Sequence, residues 1–155
     1  MSAPGALPRH QTALTVLMTP DMANFSGNVH GGAILKLLDQ VAFTCASRYA
    51  QTYVVTLSVD RVVFREPIYI GELVTFLAAV NYTGRSSMEV GIRVTTENIT
   101  EHTIRHTNSC YFTMVAIDEE RRPVPVPSLE CATDDKRRRW AEAEMRRQQR
   151  RADAG

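Results

Sequence analysis

Residues 24–39 carry the groups best suited to chemistry at a carbonyl carbon. Gly31 and Gly32 stand at the predicted entrance of a helix, where backbone N–H groups lack partners and carry the positive end of the helix dipole. Such groups can polarise a carbonyl or hold the oxyanion that forms when water attacks it. Asp39 follows Gly32 by about two helical turns, so both lie on one side of the helix. A carboxylate in that place can act as a base or as a nucleophile.

Each of these residues also has a purely structural explanation. Apolar neighbours at Leu35 and Phe43 would raise the pKa of Asp39 and make it a better base, but Asp39 also borders a polar stripe of the helix. The glycine pair could form an ordinary turn before a helix, and Asn24 could be a loop or capping residue. The residue types alone leave these alternatives open.

The elements that must position these residues follow from hydrophobic periodicity. A helix is predicted from about Ala33 to Ala50, and the runs rich in Val, Ile, Thr, Tyr and Phe predict strands. The predicted strands are Thr12–Met18, Thr52–Arg65, Glu72–Tyr82, Ser87–Asn98 and Thr103–Ile117. In the fourth of them, alternate residues from Met88 to Val94 are apolar, which indicates an antiparallel sheet with one face in a core. One apolar helix and one antiparallel sheet bury each other in an α+β fold.

Composition and charge limit the domain organisation and the classes of partner. The chain has 155 residues, a net charge of +1 and three cysteines without metal-ligand spacing. This favours one reduced, cytoplasmic domain without bound metal, nucleic acid or membrane. We assign residues 1–10 to a flexible tail, 11–130 to the domain, and 131–155 to a charged C-terminal helix and tail.

Four motifs in order give the chain a family resemblance. The pattern N-x-x-G-x-x-H-G-G-x-I-L-x-x-x-D spans Asn24 to Asp39, and three further segments follow it: 58–74, 84–90 and the proline-rich connector 123–127. Together they resemble the hotdog-fold acyl-CoA thioesterases, most closely the cytosolic acyl-CoA hydrolase (YciA-like) branch. That branch often has an aromatic residue before the glycine pair, whereas this chain has His30, as in the phenylacetyl-CoA type.

The resemblance implies a fold and a set of catalytic residues. The long helix would be wrapped by a bent antiparallel sheet, and two copies would join their sheets edge to edge. Asp39 would be the general base or nucleophile, Asn24 would orient the water or the thioester, and the N–H of Gly32 would be the oxyanion donor. His30 would lie near the thioester or shape the helix entrance. Asn24 and Asp39 would face each other from different copies.

The resemblance also implies where the coenzyme A part of the substrate binds, without a separate cofactor. The expected contacts are Leu57, Ser58, Val59, Arg85, Ser86, Ser87, Met88, Arg93, Arg146 and Arg147. Ser hydroxyls and turn N–H groups suit phosphate oxygens, and arginine offers a bidentate fork. Because coenzyme A carries an adenine nucleotide, free purine nucleotides could compete or regulate.

The expected activity is hydrolysis of medium- to long-chain fatty acyl-CoA by a homohexamer built as a trimer of dimers. Two alternatives share the fold. A hotdog hydratase would act on enoyl or hydroxyacyl thioesters and needs a differently placed His with Asp or Glu. A non-catalytic acyl-CoA sensor would need no base, and the presence of both Asn24 and Asp39 argues against it.

Overall fold

The computed structural model describes residues 6–154, in which five strands form one antiparallel sheet and two helices cover its two faces. The elements are β1 (Gln11–Leu17), α1 (Gly31–Ala50), β2 (Val54–Asp60), β3 (Leu73–Thr83), β4 (Ser87–Asn98), β5 (Thr103–Ala116) and α2 (Asp134–Ala154), with a short 3-10 turn at Pro20–Met22. The strand order is β1-β3-β4-β5-β2, so β1 and β2 are the edge strands.

Helix α1 lies on the inner face of the sheet and contacts every strand. Its buried side chains are Ile34, Leu38, Val41, Ala42, Cys45 and Ala46. They meet the inward residues of the strands, including the predicted apolar row of β4 from Met88 to Val94. The predicted α+β hotdog arrangement, a long helix wrapped by a bent antiparallel sheet with a further C-terminal helix, is confirmed.

Helix α2 covers the outer face of the sheet. The indole ring of Trp140 packs on Tyr82 with ring centroids 4.3 Å apart, and the guanidinium of Arg146 lies 3.6 Å above the ring of Tyr111. Glu89, on the polar face of β4, is therefore only 2% exposed. The outer face is buried by aromatic and ionic contacts rather than by an apolar stripe.

Two predicted boundaries need correction. The first helix begins at Gly31 rather than near Ala33, because His30 caps it and both glycines lie in its first turn. The predicted strand Thr52–Arg65 is wrong beyond Asp60, since Arg61 takes a φ of 37°, outside the β region. A β-branched composition continues past Asp60, but the extended backbone does not.

Strand β2 contains a β-bulge at Leu57. Thr56 lies opposite Met114 of β5, and the next paired residue, Ser58, lies opposite Thr113. Because one extra residue interrupts the alternation, Thr56 points to the inner face, where Met114 is buried, whereas Ser58 and Asp60 belong to the outer face. Leu57 itself is 69% exposed.

The segment before β1 is attached to the domain. Residues 1–5 of the predicted tail lie outside the described part of the chain. Beyond them, Arg48 donates to the Leu7 carbonyl at 3.3 Å, and the Val80 N–H donates to the His10 carbonyl at 2.8 Å. Within residues 6–154, no helix combines the length and hydropathy required to cross a membrane.

Candidate functional site

Asn24 closes the loop that leads into α1. Its side-chain oxygen accepts three hydrogen bonds, from the N–H and hydroxyl of Ser26 at 2.9 and 2.8 Å and from the N–H of Asn28 at 3.1 Å. The backbone N–H of Asn24 donates to the Asn28 carbonyl at 2.7 Å. Because the oxygen is fully occupied, only the Asn24 amide N–H groups are left to meet a substrate.

His30 caps the helix with its ring. Nδ1 accepts a hydrogen bond from the N–H of Gly32 at 2.8 Å, which satisfies one of the free donors of the first turn. A Cβ at Gly32 would lie 3.0 Å from that same nitrogen, so the ring can approach this closely because residue 32 is glycine. In the free chain, the Gly32 N–H that is predicted to hold the oxyanion therefore donates to His30, the residue predicted to lie near the thioester.

Asp39 is joined to strand β2. The hydroxyl of Thr56 donates to Asp39 Oδ1 at 2.7 Å, and it also lies 3.5 Å from the sulfur of Met114. The carboxylate is exposed in the single chain and is not enclosed by the apolar neighbours Leu35 and Phe43. Thr56 is not among the residues predicted above, because a threonine within a strand carries no signal of its own.

A cavity of about 480 Å³ opens beside Asp39, between α1 and β1. Its other lining residues are Thr12, Ala13, Leu14, Gln40, Phe43 and Thr44. Apart from Asp39, this lining is uncharged. Within the described residues, no hydrogen bond joins Asn24 to Asp39.

The two predicted coenzyme A segments lie at one end of the sheet. Ser58 of β2 and Glu89 of β4 both pair with Thr113 of β5, so the segment 57–59 and the turn that precedes Glu89 are two strands apart, roughly 10 Å. The turn is closed by a hydrogen bond from the Gly84 N–H to the Ser87 carbonyl at 2.8 Å. The structure thus brings 57–59 close to 85–88.

The side chains of these segments differ in accessibility. Leu57 and Val59 are exposed, and Ser58 is half-buried. Met88 is buried in the core, so only its backbone can reach a ligand.

Of the four predicted arginines, Arg85 belongs to the turn and the other three lie on β4 and α2. Arg146 donates to both carboxylate oxygens of Glu89 at 2.6 and 3.0 Å, and Arg147 donates to the Tyr82 hydroxyl at 2.8 Å beside Gly84. Arg93 lines a separate outer-face cavity of about 450 Å³ beneath α2. Of the three, Arg147 alone lies next to the 84–87 turn in the described structure.

Comparison with known proteins decides the family. Residues 26–102 match the family model described as thioesterase superfamily. Protein VdlD of Helicobacter pylori is 48% identical over 142 residues, which cover 92% of this chain and 81% of VdlD. A solved apo-hexameric acyl-CoA thioesterase superposes with a TM-score of 0.90 at 35% identity, covering 95% of this chain and 94% of that one. The chain belongs to the thioesterase superfamily.

A second solved structure repeats the spacing of the site residues. An acyl-CoA hydrolase of Staphylococcus aureus, solved in complex with butyryl coenzyme A, coenzyme A and coenzyme A disulfide, has a TM-score of 0.86 at 28% identity, covering 94% of this chain and 89% of its own. Alanine variants of it were solved at an asparagine, an aspartate fifteen residues later and a threonine a further seventeen residues on. Asn24, Asp39 and Thr56 have the same types and spacing.

Proposed function

We propose that this thioesterase-superfamily chain hydrolyses acyl-CoA thioesters to a free acid and coenzyme A. The observation that carries the proposal is the hydrogen bond from Thr56 to Asp39, two residues that recur with Asn24 at the spacing of the Staphylococcus aureus variants. Thr56 fixes one carboxylate oxygen of Asp39, so the other oxygen is left to accept a proton or to attack.

In the reaction, water adds to the thioester carbonyl carbon while Asp39 takes its proton, and the carbon–sulfur bond then breaks with coenzyme A leaving as the thiol. In the alternative route Asp39 itself attacks, and water hydrolyses the resulting anhydride. A single turnover in H₂¹⁸O can identify the nucleophile route. The base route puts ¹⁸O into the free acid alone, whereas an anhydride that water attacks at the Asp39 carbonyl carbon leaves ¹⁸O in the Asp39 carboxylate. Label in Asp39 therefore shows the anhydride, and label in the acid alone fits the base route or attack at the acyl carbonyl.

The oxyanion is assigned to the Gly32 N–H, with the Asn24 amide as a second donor. Because Gly32 donates to His30 Nδ1 in the free chain, the imidazole must turn away or share this donor when the thioester binds. We therefore assign His30 to control of the oxyanion site rather than to acid–base catalysis. This arrangement does not favour a hydratase, which needs His beside a carboxylate.

Medium- to long-chain acyl groups are the proposed substrates. The cavity beside Asp39 supports this choice, because Ala13, Leu14 and Phe43 offer apolar surface and its volume is within the usual range for small-molecule sites. The coenzyme A part is assigned to the exposed backbone of 57–59 and to the 85–88 turn with Arg147. The contacts of Arg93 and Arg146 with coenzyme A stay predictions, as does a nucleotide effector.

Release of coenzyme A from a C2 to C18 acyl-CoA panel tests the proposal, and the highest kcat/KM is expected at C8 or above. Burial raises the pKa of Cys45 to about 11 and that of Cys110 to about 12, so these two thiols should contribute little to the detected signal. The half-buried Cys131 gives a fixed background that a blank without substrate subtracts. Crotonyl-CoA that loses its enoyl absorbance without releasing thiol would support the hydratase instead. Binding without any turnover would support the sensor.

A complete site is proposed to need two copies of the chain. β2 is an edge strand with Tyr53 and Leu57 exposed, and Phe25, next to Asn24, is fully exposed. Open edges and exposed aromatic residues are where a second chain adds to a sheet. Assembly of such dimers into a hexamer is a further proposal, supported by the hexameric thioesterase with the same fold.

Complementation tests the shared site. Asn24→Ala and Asp39→Asn chains, each inactive alone, should regain about a quarter of parental activity when coexpressed, because half of the dimers are mixed and each mixed dimer holds one intact site of two. Activity is measured on the whole coexpressed mixture, and two different tags on the two chains verify that half of the dimers are mixed. No recovery in verified mixed dimers would place both residues in a site built by one copy.

A further inference from the structure

Strand β2 makes side-chain contacts with both helices within five residues. On the inner face Thr56 holds Asp39 of α1, and on the outer face Asp60 accepts a hydrogen bond from the guanidinium of Arg150 on α2. In a regular strand, Thr56 and Asp60 would point to the same face, because they are four residues apart. The bulge at Leu57 places them on opposite faces, so that each can contact a different helix. The last turns of α2 are thus connected to the site through one short strand.

The Asp60–Arg150 pair is well placed to hold this strand. Both side chains are about three-quarters buried, and Arg150 lies 3.9 Å from the buried Glu89 as well. Among residues 6–154, β2 pairs along one side only, with β5. Just after Asp60 the backbone leaves the strand at Arg61, with φ 37°. The ion pair therefore fixes the point where pairing ends.

We propose that Arg150 and Asp60 are positioning residues for the hydrolysis, acting on Asp39 through Thr56. This inference rests on the proposed function. Thr56 and Asp60 pair with Met114 and Tyr111, three residues apart on β5 and thus roughly 10 Å along the strand, so neither member of the pair reaches the reacting atoms. The pair sets the position and twist of β2 relative to α1. These decide whether the Thr56 hydroxyl lies within hydrogen-bonding distance of the Asp39 carboxylate, which is 2.7 Å away. Displacements below 1 Å at a catalytic group are enough to slow a reaction.

A double-mutant cycle tests this coupling. Arg150→Gln should lower kcat about five- to tenfold in the parent chain but less than twofold in a Thr56→Val background, where there is no hydroxyl contact left to misplace. Arg150→Lys keeps a cation opposite Asp60 and should retain most of the activity. Arg151→Gln, a change of the same type at an exposed neighbour on α2, is the matched control and should leave kcat unchanged.

Each contrary result has a different meaning. An equal fall in kcat in both backgrounds would show that Arg150 supports the fold in general, and would overturn the positioning assignment. Full activity of Arg150→Gln at every ionic strength would overturn it too. A parent chain that hydrolyses no acyl-CoA would contradict the proposed function itself, and this inference with it.

Discussion

Replacing Asp39 by asparagine should lower the kcat of acyl-CoA hydrolysis about 10³-fold and change KM little. Asparagine has nearly the same shape, and its side-chain oxygen can still accept the hydrogen bond from Thr56. It can neither take a proton from water nor attack a thioester. The loss should therefore fall on the chemical step, and steady-state thiol release across the acyl-CoA panel measures it.

The control for Asp39→Asn is the same chemical change on a remote surface. Asp153 lies on α2, where it accepts a hydrogen bond only from Gln149 of the same helix among the described residues, so Asp153→Asn should behave as the parent. Folding is checked by far-UV circular dichroism and oligomer size. Near-normal turnover by a folded Asp39→Asn chain would show that another group is the base or nucleophile.

Replacing Glu89 by glutamine should destabilise the fold by about 2 kcal/mol, because it leaves the half-buried Arg146 guanidinium without the carboxylate that accepts its two hydrogen bonds. Burial by itself opposes the charged form of Arg146, but the hydrogen bonds and charge of Glu89 outweigh burial and raise the pKa of the guanidinium. The urea midpoint of unfolding, at fixed chain concentration, measures the change.

Two further variants show whether the Glu89 effect comes from the ion pair. Adding Arg146→Met to Glu89→Gln removes the unpaired charge and should restore much of the lost stability. Glu120→Gln removes an acid that pairs with the exposed Arg122, away from Arg146, and should change stability little. A Glu89→Gln midpoint equal to the parent's would show that the Glu89–Arg146 pair does not stabilise the attachment of α2.

The inner layer could be predicted from the sequence because its signals are local. The alternation from Met88 to Val94 and the apolar stripe of α1 are periodic patterns that report burial directly. The contact of Thr56 with Asp39 could not be predicted, since it depends on the register between a helix and a strand. Nor could the burial of Glu89, because α2 covers it with arginine and aromatic side chains that look like a solvated helix in the sequence.

The bulge at Leu57 lets Thr56 and Asp60, which are four residues apart, point to opposite faces of β2. An in-frame loss of codon 57 would leave a regular strand in which Thr56 still faces inward and Asp60 still faces outward, so both contacts would be kept. A second one-residue loss between Thr56 and Asp60 would turn Asp60 into the apolar core and leave Arg150 without its partner. Over evolutionary time, this segment should thus accept many amino acids at position 57, and the loss of that one residue, but no further shortening.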